Sequence, residues 1–188
     1  YVVALLSDLF GIQARGGCSC AGPYGHRLLG IDLDRAHGFA DQVADGWLGI
    51  KPGWVRLGFS FYQPESLVDY VIAAVHLVAT HGANLLPLYR FDPHTGRWQH
   101  RDAPPPPVDL DQIWYDPDGR LRHPEHGLRR APERALAGYL RQAEAILTAH
   151  RYPNGHGQPG SVTDPFDRLR WFELPPICLT AGGPQAAD

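Results

Sequence analysis

Apolar positions recur with helical period at the start of the chain. Val2, Leu5, Leu6 and Leu9 follow the i, i+3, i+4, i+7 rule, which predicts the end of an amphipathic helix over residues 1–10, stopped by Gly11. Ile12 to Arg15 then reads as a short strand, with Ile12 and Ala14 on one face and Gln13 and Arg15 on the other. Burying the apolar pair turns Arg15 outward. Pro23 suits the first turn of a short helix reaching about Gly30. Leu33, Ala36, Ala40, Val43, Ala44 and Trp47 predict another over residues 33–47, weakened by Gly38 and Gly46. From 54 to 61 the period falls to two. Val55, Leu57, Phe59 and Phe61 alternate with Trp54, Arg56, Gly58 and Ser60, which predicts a strand with one face in a core and Arg56 on the other. Gly58 leaves room beside Arg56 for a ligand or another backbone. Pro64 opens the strongest helix, running to about Thr80 on the stripe Leu67, Val68, Val71, Ile72, Val75, Val78 and Ala79, with Gly82 as its stop.

Beyond Gly82 the pattern shortens. Leu85–Phe91 and Arg97–His100 flank Asp92-Pro93-His94-Thr95-Gly96, a type I turn sequence with glycine for the left-handed position, so a hairpin is expected. Asp116-Pro117-Asp118-Gly119 repeats that chemistry between Ile113-Trp114-Tyr115 and Arg120-Leu121, and four prolines at 104–107 form a stiff connector between the two units. Pro132 and Glu133 start a last helix with Leu136, Leu140, Ala143 and Leu147 on one face. The remainder, rich in Pro and Gly, reads as an extended tail anchored by Trp171, Phe172 and Leu174. The expected fold class is α/β of the α+β small-domain kind. A short antiparallel or mixed sheet covered by helices over 1–82 is followed by an irregular extension over 83–188.

Composition narrows the function classes. A net charge of -3 and a pI near 6.4 supply none of the clustered basic surface that a nucleic-acid backbone demands. No apolar run approaches the roughly 20 residues that span a bilayer, so no membrane segment is expected. Three cysteines, two of them one residue apart, make no disulfide framework, and a reducing cytoplasm is the default. The chain contains no Met and starts at Tyr1 inside an apolar-periodic run. That predicts a portion of something longer, with any targeting signal out of view.

The chemistry concentrates in Ala14-Arg15-Gly16-Gly17-Cys18-Ser19-Cys20-Ala21-Gly22-Pro23, where an arginine and two thiols stand among glycines ahead of a proline-started turn. A thiol is a nucleophile as thiolate, and a nearby guanidinium and the positive end of a following helix both favour that form. Cys20 is placed for both. The alternative for Cys20 is a small buried hydrophobe; for Arg56 and Arg15 it is a surface ion pair, and for His26 a helix-surface histidine. A metal site from Cys18, Cys20 and His26 is disfavoured, since one intervening residue is short for a structural zinc pair and only three ligands are near. No metal is expected.

Two stretches, Gly11-Ile12-Gln13-Ala14-Arg15-Gly16-Gly17-Cys18-Ser19-Cys20-Ala21 and Val55-Arg56-Leu57-Gly58-Phe59, occur in order and precede a helix opened by Pro64. In this arrangement residues 1–82 resemble the C-terminal small domain of class V aminotransferases, in their cysteine desulfurase and selenocysteine lyase branch. These are fold-type I pyridoxal-phosphate enzymes. The resemblance implies a catalytic cysteine at Cys20 that accepts sulfur, a substrate-carboxylate arginine at Arg56, and a second active-site arginine at Arg15. It also implies a homodimer, a small amino-acid substrate, and a Schiff-base lysine with the other cofactor contacts in a preceding domain of the same protein. Relatives in which the cysteine has no covalent role stay open, as does an interaction domain in which residues 83–188 cover a partner. Three features depart from the family pattern: residues 31–50 make a long connection, Cys18 adds a second thiol, and residues 83–188 form an extension with no counterpart in it. Lys51, the one lysine of the chain, falls in a turn and is expected to be exposed, so the chain alone is expected to be inactive.

Overall fold

The computed structural model describes residues 1–17, 22–104, 112–123, 131–152 and 160–179. It is a small mixed α/β arrangement of helices with two separate two-stranded antiparallel sheets. Helix α1 (Val2–Phe10) buries Leu5, Leu6 and Phe10 and ends at Gly11, whose φ of 64° lets the Gly11 and Ile12 N–H groups donate back to the Ser7 and Leu6 carbonyls. α2 (Gly22–Leu29) is short, and α3 (Leu33–Ala44) is capped by the Asp32 carboxylate, which accepts from the Arg35 N–H at 2.8 Å. A 3-10 turn, Leu48–Ile50, leads to the extended segment around Arg56. α4 (Glu65–His81) starts after Pro64 and ends with Gly82 as its C-cap, as expected, and a second 3-10 stretch, Gly82–Leu88, follows directly.

Strands β1 (Tyr89–Asp92) and β2 (Arg97–His100) pair with Phe91 opposite Trp98, while β3 (Trp114–Tyr115) and β4 (Leu121–Arg122) form the smaller hairpin. α5 (Leu136–Ala149) follows a 3-10 turn at Glu133–Ala135. The tail holds a helix that periodicity could not show, α6 (Asp164–Leu169), capped by Thr163 and carrying Pro165 in its first turn.

Two cores organise these pieces. The first joins α1, α4 and α5 through Leu5, Leu6, Phe10, Tyr70, Ala74, Val78, Leu85, Tyr89, Ala143 and Leu147. The second gathers Phe39, Ile50, Leu86, Phe91, Phe166, Leu174 and Cys178. Each draws residues from both sides of position 82. At ~1.5–3 kcal/mol for each fully buried large apolar side chain, the segments before and after that point contribute jointly to both cores. The tail is held by Phe166, Leu174 and Cys178, whereas Trp171, expected as an anchor, remains 50% exposed.

Two expectations need correction. Residues 54–61 do not form a strand with a buried face. Pairing is limited to a single bridge at Arg56, and Val55, Phe59 and Phe61 are exposed. The chain turns away immediately afterwards, where the Gln63 side chain and N–H close on Ser60. The expected sheet within 1–82 is therefore absent among the described residues; the sheets lie beyond it. The helical stretch Glu65–Leu88 is also long and apolar enough, by length and composition, to cross a bilayer. Here its Tyr70, Ala74, Val78 and Leu85 are buried in the core that it shares with α1 and α5.

Candidate functional site

Arg15 reaches its position in three steps. Gly11 turns the chain out of α1, Ile12 and Ala14 pack on the first core, and the alternation leaves Gln13 and Arg15 exposed. The segment then meets Arg56 head-on. The Arg15 N–H donates to the Arg56 carbonyl at 3.2 Å and the Arg56 N–H to the Arg15 carbonyl at 2.7 Å, an antiparallel pair that exchanges both bonds. Residues paired this way carry their side chains on one face, with Cα atoms about 5.5 Å apart. Two arginines distant in sequence are thus neighbours. Among the described residues neither guanidinium has an ion-pair or hydrogen-bond partner. Two exposed, adjacent, uncompensated cations repel each other and together attract an anion.

The flank of this face is α2. Trp54 stands two residues before Arg56 on the same side, and its ring edge lies 3.3 Å from where a Cβ on Gly25 would sit, so α2 closes against it. His26 is half-buried in α2. Cys18 and Cys20 lie outside the described residues. Cys178 is the remaining thiol; it is buried in the second core, donates to the Leu86 carbonyl at 3.2 Å, and burial pushes its pKa up to about 11 against a smaller opposing pull from Arg101. A thiol so held is inert as a nucleophile. Among the described residues no three His, Cys, Asp or Glu side chains gather to hold a metal.

Sequence reasoning missed how closely the tail approaches this region. A groove of about 1360 Å³ is lined by Gly16, Gly17, Lys51, Val55 and, from the far end of the chain, Trp171 and Phe172. Trp171 donates its indole N–H to the Ile50 carbonyl at 3.4 Å. No periodicity links residues 121 positions apart, so nothing in the sequence pattern signals this contact. Arg15 and Arg56 do not line the groove, whereas Gly16 and Val55 beside them do.

Pyridoxal phosphate requires a lysine in an enclosed pocket to carry it. Lys51 is exposed and follows the Leu48–Ile50 turn, its N–H donating to the Leu48 carbonyl at 3.2 Å, while its ammonium has no hydrogen-bond or ion-pair partner among the described residues. The described residues therefore do not fit the cofactor, although they fit an anion at the paired arginines. Comparison with protein-family models, with curated proteins and with solved structures finds no match.

Proposed function

We propose that this chain is the carboxylate-binding arm of a pyridoxal-phosphate-dependent enzyme of the class V aminotransferase type, acting on a small amino acid by carbon–sulfur or carbon–selenium bond cleavage. The observation that carries the reading is the bridge between Arg15 and Arg56. A planar guanidinium fork grips a carboxylate through two parallel hydrogen bonds, which a lysine ammonium does not reproduce. Two forks on one face supply both the grip and the charge. In this reading Cys20, five residues beyond Arg15, is the sulfur acceptor. The cofactor and its lysine belong to a preceding domain of the same protein, and the active unit is a cytoplasmic homodimer.

Acetate titrated into the 188-residue chain tests the site. Saturable shifts of the Arg15 and Arg56 amide resonances, lost in Arg56→Gln and weakened by salt, are the expected result; their absence in the wild-type chain rejects the reading. Cys20→Ser in the cofactor-loaded enzyme separates the reaction classes, since desulfuration collapses if Cys20 accepts sulfur and persists in a related lyase or transferase. A second, non-catalytic reading has one observation in its favour: Phe59, Phe61 and Tyr62 are all exposed, with Phe61 fully so. Self-association that is lost in Phe61→Ser, without carboxylate binding, would favour that reading.

A further inference from the structure

The bridge between Arg15 and Arg56 is a single pair of hydrogen bonds between exposed residues, too little by itself to fix a register. Two residues away the chains touch again. In the register set by the bridge, Gly17 falls opposite Trp54, and the residue packed against Gly17 is the adjacent Gly53. A Cβ on Gly53 would overlap the Gly17 carbonyl carbon and oxygen and lie 2.7 Å from the Gly17 Cα. All three are backbone atoms, which no rotamer change can move aside. On the other flank, a Cβ on Gly16 would lie 2.8 Å from Cγ2 of Val3 in α1. The segment 15–17 is therefore held between α1 and Gly53. Gly58, two residues past Arg56, has nothing within 4 Å of its own would-be Cβ.

We infer that Gly53 is a positioning residue: its bare α-carbon seats the Gly17 backbone, and this contact, together with Val3 against Gly16, fixes the register in which Arg15 and Arg56 pair. The consequence for carboxylate binding rests on the function proposed above; the clamp itself does not. Gly53 touches no ligand and acts through the two arginines.

The test uses the full 188-residue chain, with amide exchange read at Arg15 and Arg56 and acetate as the probe anion. Gly53→Ala is expected to speed exchange at both amides roughly tenfold or more, the factor matching an overpacking cost of ~1.4 kcal/mol. Acetate affinity should fall in parallel while amides of α4 and α5 stay protected. Gly58→Ala should behave as wild type. Gly16→Ala should loosen the pair and Val3→Ala in that background should restore it, a rescue that a general glycine effect on chain flexibility does not produce. Unchanged exchange at Arg15 and Arg56 in Gly53→Ala overturns the inference. If Gly53→Ala fails to fold, the Gly16→Ala pair decides, and absence of rescue by Val3→Ala overturns it. A wild-type chain that ignores acetate rejects the proposed function, and the exchange data still judge the clamp.

Discussion

Removing one of the paired arginines should make the protein more stable. The backbone bridge sets the two Cα atoms about 5.5 Å apart, and long side chains free to splay bring the guanidinium centres to roughly 6–10 Å. In water-like dielectric, two unit charges at that range repel by ~0.4–0.7 kcal/mol before salt screening. No described carboxylate offsets this repulsion. Arg56→Gln keeps the aliphatic stem and the backbone bonds but deletes the charge. At low ionic strength it should raise stability by up to ~0.5 kcal/mol, about 1–2 °C in Tm for a chain of this size. Urea unfolding at 10 mM and at 500 mM salt is the assay, and the gain should vanish at high salt, where screening reaches within a few ångströms. A loss of stability that persists in high salt would refute the reasoning, since it would show the arginine to be a satisfied partner rather than an uncompensated cation. Such a gain on deletion is the trade expected of a binding site kept at a cost to the fold.

The remaining predictions concern the frame around the pair. Phe166→Ala, at a fully buried position in the second core, should cost ~3–5 kcal/mol in chemical unfolding, far more than Trp171→Ala at its half-exposed site; equal effects would contradict the assigned anchors. The Cys178 thiol, raised by burial from 9.0 to about 11, contributes stability that is complete below pH 9 and lost as pH climbs to about 11. Cys178→Ala should flatten that part of the stability profile, and an unchanged slope would refute the assignment. Tyr89→Phe removes the 2.8 Å hydrogen bond to the Asp8 carboxylate that joins β1 to α1 and should cost ~1–3 kcal/mol, read by thermal unfolding. Pyridoxal phosphate added to the chain alone should leave on dialysis; cofactor retained in a Lys51-dependent way would overturn the placement of its lysine elsewhere.

What could be read from the sequence was what local physics controls. Gly11 and Pro64 mark helix ends through backbone geometry, and α1 ends and α4 begins at those signals. The turn chemistry at Asp92–Gly96 likewise places the β1–β2 hairpin. The alternation at 54–61 misled because period two reports an extended backbone and not what lies on either side of it. With a single bridge and a turn at Ser60, Phe59 and Phe61 have no second layer to enter. α6 escaped notice because a six-residue helix is set by its Thr163 cap and Pro165 rather than by an apolar stripe. In the candidate site, Arg15 and Arg56 were each legible as outward-facing, yet their hydrogen-bonded pairing is a tertiary fact. The seating of Gly17 on Gly53 was invisible for the same reason.

The long reach of the first core has a consequence for how the chain is made. The faces of Leu5 and Leu6 are completed by residues as late as Ala143 and Leu147, and the Tyr1 hydroxyl closes on a carbonyl 81 residues away. At ~5–20 residues per second a ribosome needs on the order of ten seconds or more to reach α5. For that interval the core that α1 builds with α4 lacks the face supplied by Ala143 and Leu147. Chaperone demand during synthesis should therefore persist until α5 emerges, although the contacts that hold the arginine pair all lie before residue 57.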